Sequence, residues 1–254
     1  MSESPWDQAV RLTQVAMRNP EIKRFYTEAT VGDVDGGWAL LLDGRGARTP
    51  AKNKLVSPTR TIAEAIAAEW AGQGSVVNPT SMPLTRLANS ALDGVAKTLA
   101  ETRADIAGYA GADLLCYRAE APEALVAMQS QAFDPVLAWA EEALGARFIL
   151  SASVVHVPQP EPALAAVRTA VEAYESPFAV AALYGLTSLS GSVLLALAVA
   201  RGARSAEHAW RAAHVDEDFQ IRRWGEDEEA MQRRALRWVE FEAAARVMRA
   251  LAWR

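Results

Sequence analysis

Ser176-Pro-Phe-Ala-Val-Ala-Ala-Leu-Tyr-Gly-Leu-Thr-Ser-Leu-Ser-Gly-Ser-Val-Leu-Leu-Ala-Leu-Ala-Val-Ala200 contains no charged side chain from end to end. A run of this length could span a membrane, which takes about 20 apolar residues. Its middle, Gly185 to Ser192, is instead polar and broken by glycine. Phe178 to Leu186 and Val193 to Ala200 each have the length of a buried core helix. The run therefore reads as a buried helical hairpin bending near Ser190-Gly191, at the centre of a helical domain, and no membrane span is expected.

Working outward from that hairpin, everything from Pro162 onward reads as helix, with breaks at Ser176-Pro177, Ser190-Gly191, Gly202 and Gly225. Pro122 to Leu144 is an Ala-rich helix carrying Phe133 and Trp139. Phe148 to Val157 is apolar and β-branched, and is expected to be a strand returning to the N-terminal part. Leu84, Leu87, Ala88, Ala91 and Val95 recur at helical spacing behind Pro83, which suits a first helical turn.

The N-terminal third has another grammar. Arg24 to Val34 and Trp38 to Leu42 flank Asp35-Gly36-Gly37, the pattern of a β-hairpin, and Asp43-Gly44-Arg45-Gly46 is a second turn. Leu55-Val56 adds a short strand. Ser57-Pro58 is then expected to cap a helix whose face is Ile62, Ile66, Glu69 and Trp70. The fold class expected is α+β: a small mixed domain over 1–110, then an all-helical domain over 111–254.

Composition narrows the function classes. The 254 residues are 51% hydrophobic and 22% charged, with net charge -5 and pI near 5.4. That is ordinary globular composition without the basic footprint of a nucleic-acid binder. Cys116 is the single cysteine, so no internal disulfide is available and a reducing compartment is expected. Met1 to Pro20 lacks the apolar core of a secretory signal and the Arg-rich amphipathic pattern of a presequence. A cytoplasmic protein, or one already mature after import, is the expectation.

Chemistry is sparse. Neither Gly-x-x-x-x-Gly-Lys-Ser/Thr nor Gly-x-Gly-x-x-Gly occurs, nor the Gly-x-Ser-x-Gly of a nucleophile elbow. Cys116 lies in Leu114-Leu-Cys-Tyr117, the setting of a structural thiol. The richest polar cluster is His214-Val-Asp216-Glu217-Asp218. Adjacent helical residues point about 100° apart, so these three acids cannot converge on one metal. His214 and Asp218 do share a face, and with Arg222 or Arg223 they define a hydrolase or transferase alternative.

Trp210, His214, Glu217, Ile221 and Trp224 fall on one helical stripe, which puts Glu217 between two tryptophans on a face expected to be packed. It reads either as a core carboxylate paired with an arginine or as an anchor that orders a binding surface. After Gly225, the run Glu226 to Glu229 suits a helix N-terminus. The last helix carries two apolar faces, Met231, Ala235, Trp238 and Ala245 on one, and Leu236, Val239, Ala243, Val247 and Leu251 on the other. It is therefore sandwiched, or keeps one face for a partner. Glu240 borders the second face.

The order and spacing of several blocks resemble a known family. They are Arg24-Phe-Tyr, Asn78-Pro-Thr-Ser-Met-Pro-Leu-Thr-Arg-Leu-Ala-Asn-Ser90, Ala112-Asp-Leu-Leu-Cys-Tyr-Arg118, Ser176-Pro-Phe, Leu186-Thr-Ser-Leu-Ser-Gly191 and Ala209 to Gln220. Trp224-Gly225 with Glu228 closes the series. Together they look like the ATP-twelve family, assembly chaperones of the alpha subunit of the ATP synthase catalytic sector, found in mitochondria and alphaproteobacteria. The resemblance implies a monomeric chaperone that binds free alpha subunit without ATP, cofactor or catalysis, bacterial cytoplasmic here and in the mitochondrial matrix for eukaryotic relatives. It leaves open an interaction domain for another client. Glu217, Trp224, Glu228 and Glu240 are the expected client-binding residues.

Overall fold

A computed structural model describes residues 22–152 and 155–251. The stretch Met1 to Pro20, read above for targeting signals, lies outside them. The described chain forms two compact units, the first running to Thr102 and joined by Ser176–Ala182 and the residues from Arg246, the second made of Arg103–Glu175 and Leu183–Ala245.

The first unit is built on a four-stranded antiparallel sheet at the N-terminus. Strand β2 (Gly37–Leu42) pairs along its length with β1 (Ala29–Val34) and, on its other edge, with β3 (Arg45–Gly46) and β4 (Val56–Ser57). Two turns set this register. Val34 pairs with Gly37 across Asp35-Gly36, and Leu42 pairs with Arg45 across Asp43-Gly44, both of whose residues have positive φ. That is the backbone of a tight hairpin turn matched to strand twist. Gly37 has φ 138°, and a Cβ there would stand 2.4 Å from the Ser57 carbonyl oxygen, so β4 can pair only beside glycine.

Helix α1 (Arg60–Ala71) lies against β1 and β2 through Ile62, Ala63 and Ile66. Thr59, two residues beyond the expected Ser57, is its cap: the hydroxyl accepts from the Ile62 N–H. Ser57 is used in β4. Arg24 to Glu28 is not strand. The Arg24 guanidinium donates to the carbonyls of Tyr26, Thr27, Ala71 and Gln73, and the Tyr26 hydroxyl donates to the Trp70 carbonyl at 2.7 Å. Arg24-Phe-Tyr is thus a clamp on the C-terminus of α1.

Glu69 fastens α1 to α2 (Pro83–Asp93). Its carboxylate accepts from the Leu84 N–H at 2.7 Å and from the Thr85 N–H and hydroxyl at 2.8 and 2.7 Å, closing the N-terminus of α2 behind Pro83. Glu69→Ala leaves those buried donors unpaired and is expected to cost about 1–3 kcal/mol, read by thermal unfolding, while Glu69→Gln, which keeps an acceptor, costs less. Equal melting of Glu69→Ala and the parent would refute the role.

The second unit is helical. After α3 (Leu99–Gly108), which begins in the first unit, come α4 (Glu123–Leu144), α5 (Glu161–Glu172), α6 (Pro177–Ser190), α7 (Val193–Ala200), α8 (Ala206–Ala213), α9 (Val215–Trp224) and α10 (Glu228–Ala250), of which the start of α6 and the end of α10 belong to the first unit. The uncharged run is the hairpin α6–α7, bent where Gly191 takes φ 71° and Ser192 caps α7 through the Leu195 N–H. All of Val193–Ala200 is buried against α4, α8 and neighbouring turns. No helix among the described residues is long and apolar enough to cross a membrane.

Phe148 to Val157 is not a strand in its described residues; a single parallel bridge joins Ser151 to Tyr117. The Gln159 side chain supplies the pairing that a sheet would have given. Its amide oxygen accepts from the Ile149 N–H and its amide nitrogen donates to the Ile149 carbonyl.

Candidate functional site

Helices α9 and α10 form the site that the sequence singles out. Gly225, with φ 91°, ends α9, and the Asp227 carboxylate accepts from the Ala230 N–H to open α10. The acidic run therefore caps a helix, as its order predicts. Asp218 on α9 holds Arg234 on α10 in a half-buried ion pair. Beneath them Trp210, His214, Trp238 and Phe241 make an aromatic cluster, with Trp210 at 3.9 Å from His214 and 5.2 Å from Phe241 between ring centres.

The continuous stripe through Glu217 does not exist. α8 ends at Ala213 and α9 starts at Val215, with His214 at φ -119° and ψ 22° between them. That break rotates α9, so Trp210 and His214 are buried while Glu217 is exposed and Trp224 is 72% exposed. The expected packed carboxylate is a surface one. Arg223 stacks on Trp224, 5.9 Å from the ring centre.

On α10 the second apolar face divides. Ala243 and Val247 are buried, whereas Leu236 is 66% and Val239 44% exposed. Glu228, Gln232, Leu236 and Glu240 fall at successive i+4 positions, one ridge of the helix, so the two acids bracket Leu236. Gln232 donates to Glu228 at 3.3 Å, and Glu240 is half-buried. Among the expected residues, Glu228 and Glu240 thus share a face with exposed apolar side chains. Trp224 is exposed at the preceding turn and Glu217 stands on α9.

The acids of α9 diverge: Asp216 accepts from the Gln129 amide at 2.7 Å, Asp218 binds Arg234, and Glu217 faces solvent. No group of three or more His, Cys, Asp or Glu among the described residues could hold a metal. His214 is buried, its Nδ1–H donating to the Trp210 carbonyl at 2.7 Å. Burial pushes its pKa below the usual value, against the Trp210 hydrogen bond and the Glu217 charge. Asp218 and Arg222 line a groove that His214 does not reach, so the elements of the hydrolase alternative are separated. The Cys116 thiol is pushed up to about 12, first by burial and then by Asp113. At neutral pH it is protonated and inert.

Asp113 is the residue that sequence reasoning missed, although it lies in the quoted block Ala112 to Arg118. It is fully buried, and its carboxylate accepts from the N–H groups of Leu115 (3.1 Å) and Leu194 (3.2 Å). It therefore caps α7 across the fold. Burial raises its pKa to about 6, with hydrogen bonds from Ser192, Leu115, Leu194 and Val193 opposing the rise.

A small N-terminal antiparallel sheet followed by an array of helices, with an exposed acid-flanked apolar ridge on α10, is the class of fold. Residues 23–141 match the family model described as ATP12 chaperone protein. The crystal structure of Atu1473, described as a putative chaperone from Agrobacterium tumefaciens, is 49% identical with TM-score 0.88, covering 94% of this chain and 90% of that one. Atp12 from Paracoccus denitrificans is 41% identical with TM-score 0.84, covering 90% and 98%. A point mutant of that Paracoccus protein matches with TM-score 0.85 at 41% identity, over 91% and 99%. The chain belongs to the ATP12 chaperone family.

Proposed function

We propose that this protein is an ATP-independent, monomeric chaperone that holds the free alpha subunit of the ATP synthase catalytic sector in the bacterial cytoplasm until assembly. The observation that carries the reading is the exposed Leu236–Val239 ridge between Glu228 and Glu240, on a protein whose relatives are chaperones. A subunit destined for a ring exposes apolar, strand-edged surface that aggregates when alone. A passive holder needs a fixed complementary surface and an affinity that the true neighbour can outcompete, without fuel.

The client grip, in this reading, is Trp224 with Leu236 and Val239, flanked by Glu228 and Glu240, with Glu217 at its edge. The test is co-expression with alpha subunit, measuring the soluble fraction with Glu228→Lys, with Glu240→Lys and with the parent chain. Glu228 lies in a first helical turn, so its loss is expected to cost only about 0.3–1 kcal/mol of stability. Soluble alpha is expected to fall severalfold with unchanged circular dichroism. Full protection by both folded variants would move the client surface elsewhere. A dependence of protection by purified protein on added ATP would overturn the passive mechanism.

A further inference from the structure

Helices α4, α8 and α9 and the turn before α8 enclose a groove of about 660 Å³ whose charge the ridge above does not use. Arg204, Arg211 and Arg222 line it from three different elements: the turn, α8 and α9. Arg204 donates to the carbonyls of Ala203 and Pro135 at 2.9 and 3.1 Å, and Arg211 to that of Glu207 at 3.3 Å. Arg222 meets the Met128 sulfur at 3.5 Å. Among the described residues none of these guanidiniums is paired with a carboxylate. The acid in the lining, Asp218, is already held by Arg234. His208 stands beside them, its Nδ1 bonded to the Ser205 hydroxyl at 3.1 Å.

Three uncompensated positive charges thus converge in a chain whose net charge is -5. The floor between them, Ala132, Val136 and Ala212, is apolar, and Met128 at the rim is an adaptable thioether. Guanidinium forks bind carboxylates bidentately, and forks on separate elements suit successive carboxylates along an extended chain better than one compact anion.

We infer that this groove docks an acidic segment of a partner polypeptide, with carboxylates on Arg204, Arg211 and Arg222 and intervening apolar side chains on the floor. It rests on the chaperone reading and adds to it a second, electrostatic grip on the client.

The experiment titrates the purified protein into a short fluorescein-labelled peptide of alternating Glu and Leu, with a Lys and Leu counterpart as control. Inorganic phosphate and poly(U) RNA serve as competitors. The Glu/Leu peptide is expected to bind, more weakly as salt rises, and the Lys/Leu peptide not to bind. Arg211→Glu and Arg222→Glu change exposed side chains, and each is expected to weaken binding about tenfold with unchanged circular dichroism. Arg211→Gln and Arg222→Gln serve if the reversals fail to fold. Absence of Glu/Leu binding, its full retention in the folded double variant, or displacement by phosphate or RNA in preference to the peptide overturns the inference. The same proteins are then assayed for alpha-subunit protection. Peptide binding without protection removes the client reading and keeps the groove, and protection without peptide binding does the reverse.

Discussion

Leu195→Asp is expected to abolish soluble expression. Leu195 is 0% exposed, in the first turn of α7, where every residue of the helix is buried and uncharged. An aspartate there would replace a side chain that has no exposed surface at the inner wall of the groove lined by Arg204, Arg211 and Arg222. Taking that charge out of water among the packed apolar neighbours of α7, or neutralising it with a proton, costs several kcal/mol beyond the lost packing. A whole domain is stable by only about 5–15 kcal/mol. Leu195→Met, which keeps volume, is expected to remain soluble. A soluble, native-like Leu195→Asp would show that α7 faces water.

Asp113→Ala is expected to destabilise the protein by about 2–5 kcal/mol, since it removes the acceptor from the buried N–H groups of Leu115 and Leu194 at once. Asp113→Asn separates the charge from the hydrogen bonds. In the unfolded chain the carboxyl titrates near 3.8, and in the fold near 6. Between those values the native state keeps a proton that the unfolded state releases. This group's contribution to stability therefore falls as pH rises from about 4 to about 6 and is level above, a loss of about 2–3 kcal/mol. Asparagine shows no such fall. His214, whose pKa is lowered, acts oppositely, costing stability as pH falls through its ordinary 6.5. The difference between parent and Asp113→Asn across this range isolates Asp113. Parallel curves would place the carboxyl in contact with water.

The resemblance of ordered blocks already pointed to the family, but the roles of two of those blocks became clear only with their partners. Arg24-Phe-Tyr looked like strand because aromatic residues favour strands. Its guanidinium instead binds four carbonyls, two of them at the end of α1. Ala112 to Arg118 looked like a site for a structural thiol, and the thiol is indeed buried, yet the residue that organises it is Asp113. No local pattern distinguishes a buried cap from a surface acid, since one of the N–H groups it serves, that of Leu194, lies far along the chain.

The errors at the candidate site have a similar cause. Helical spacing places residues on faces only while the helix continues, and a single break at His214 separates Trp210 from Glu217 and Trp224. Spacing does hold along α10, so the ridge Glu228, Gln232, Leu236 and Glu240 is present in the sequence.

Neighbours along the chain are enough to set its turns and its helix breaks. Asp-Gly turns close the hairpins because glycine and aspartate tolerate positive φ, and the uncharged run becomes two helices because Gly191 and Ser192 break and restart it. Tertiary structure alone decided which apolar positions of α10 are covered and which acids are paired. It also brought Arg204, Arg211 and Arg222 to one groove. Burial and charge pairing are properties of elements meeting in space, and the periodicity of one helix carries no information about what packs against it.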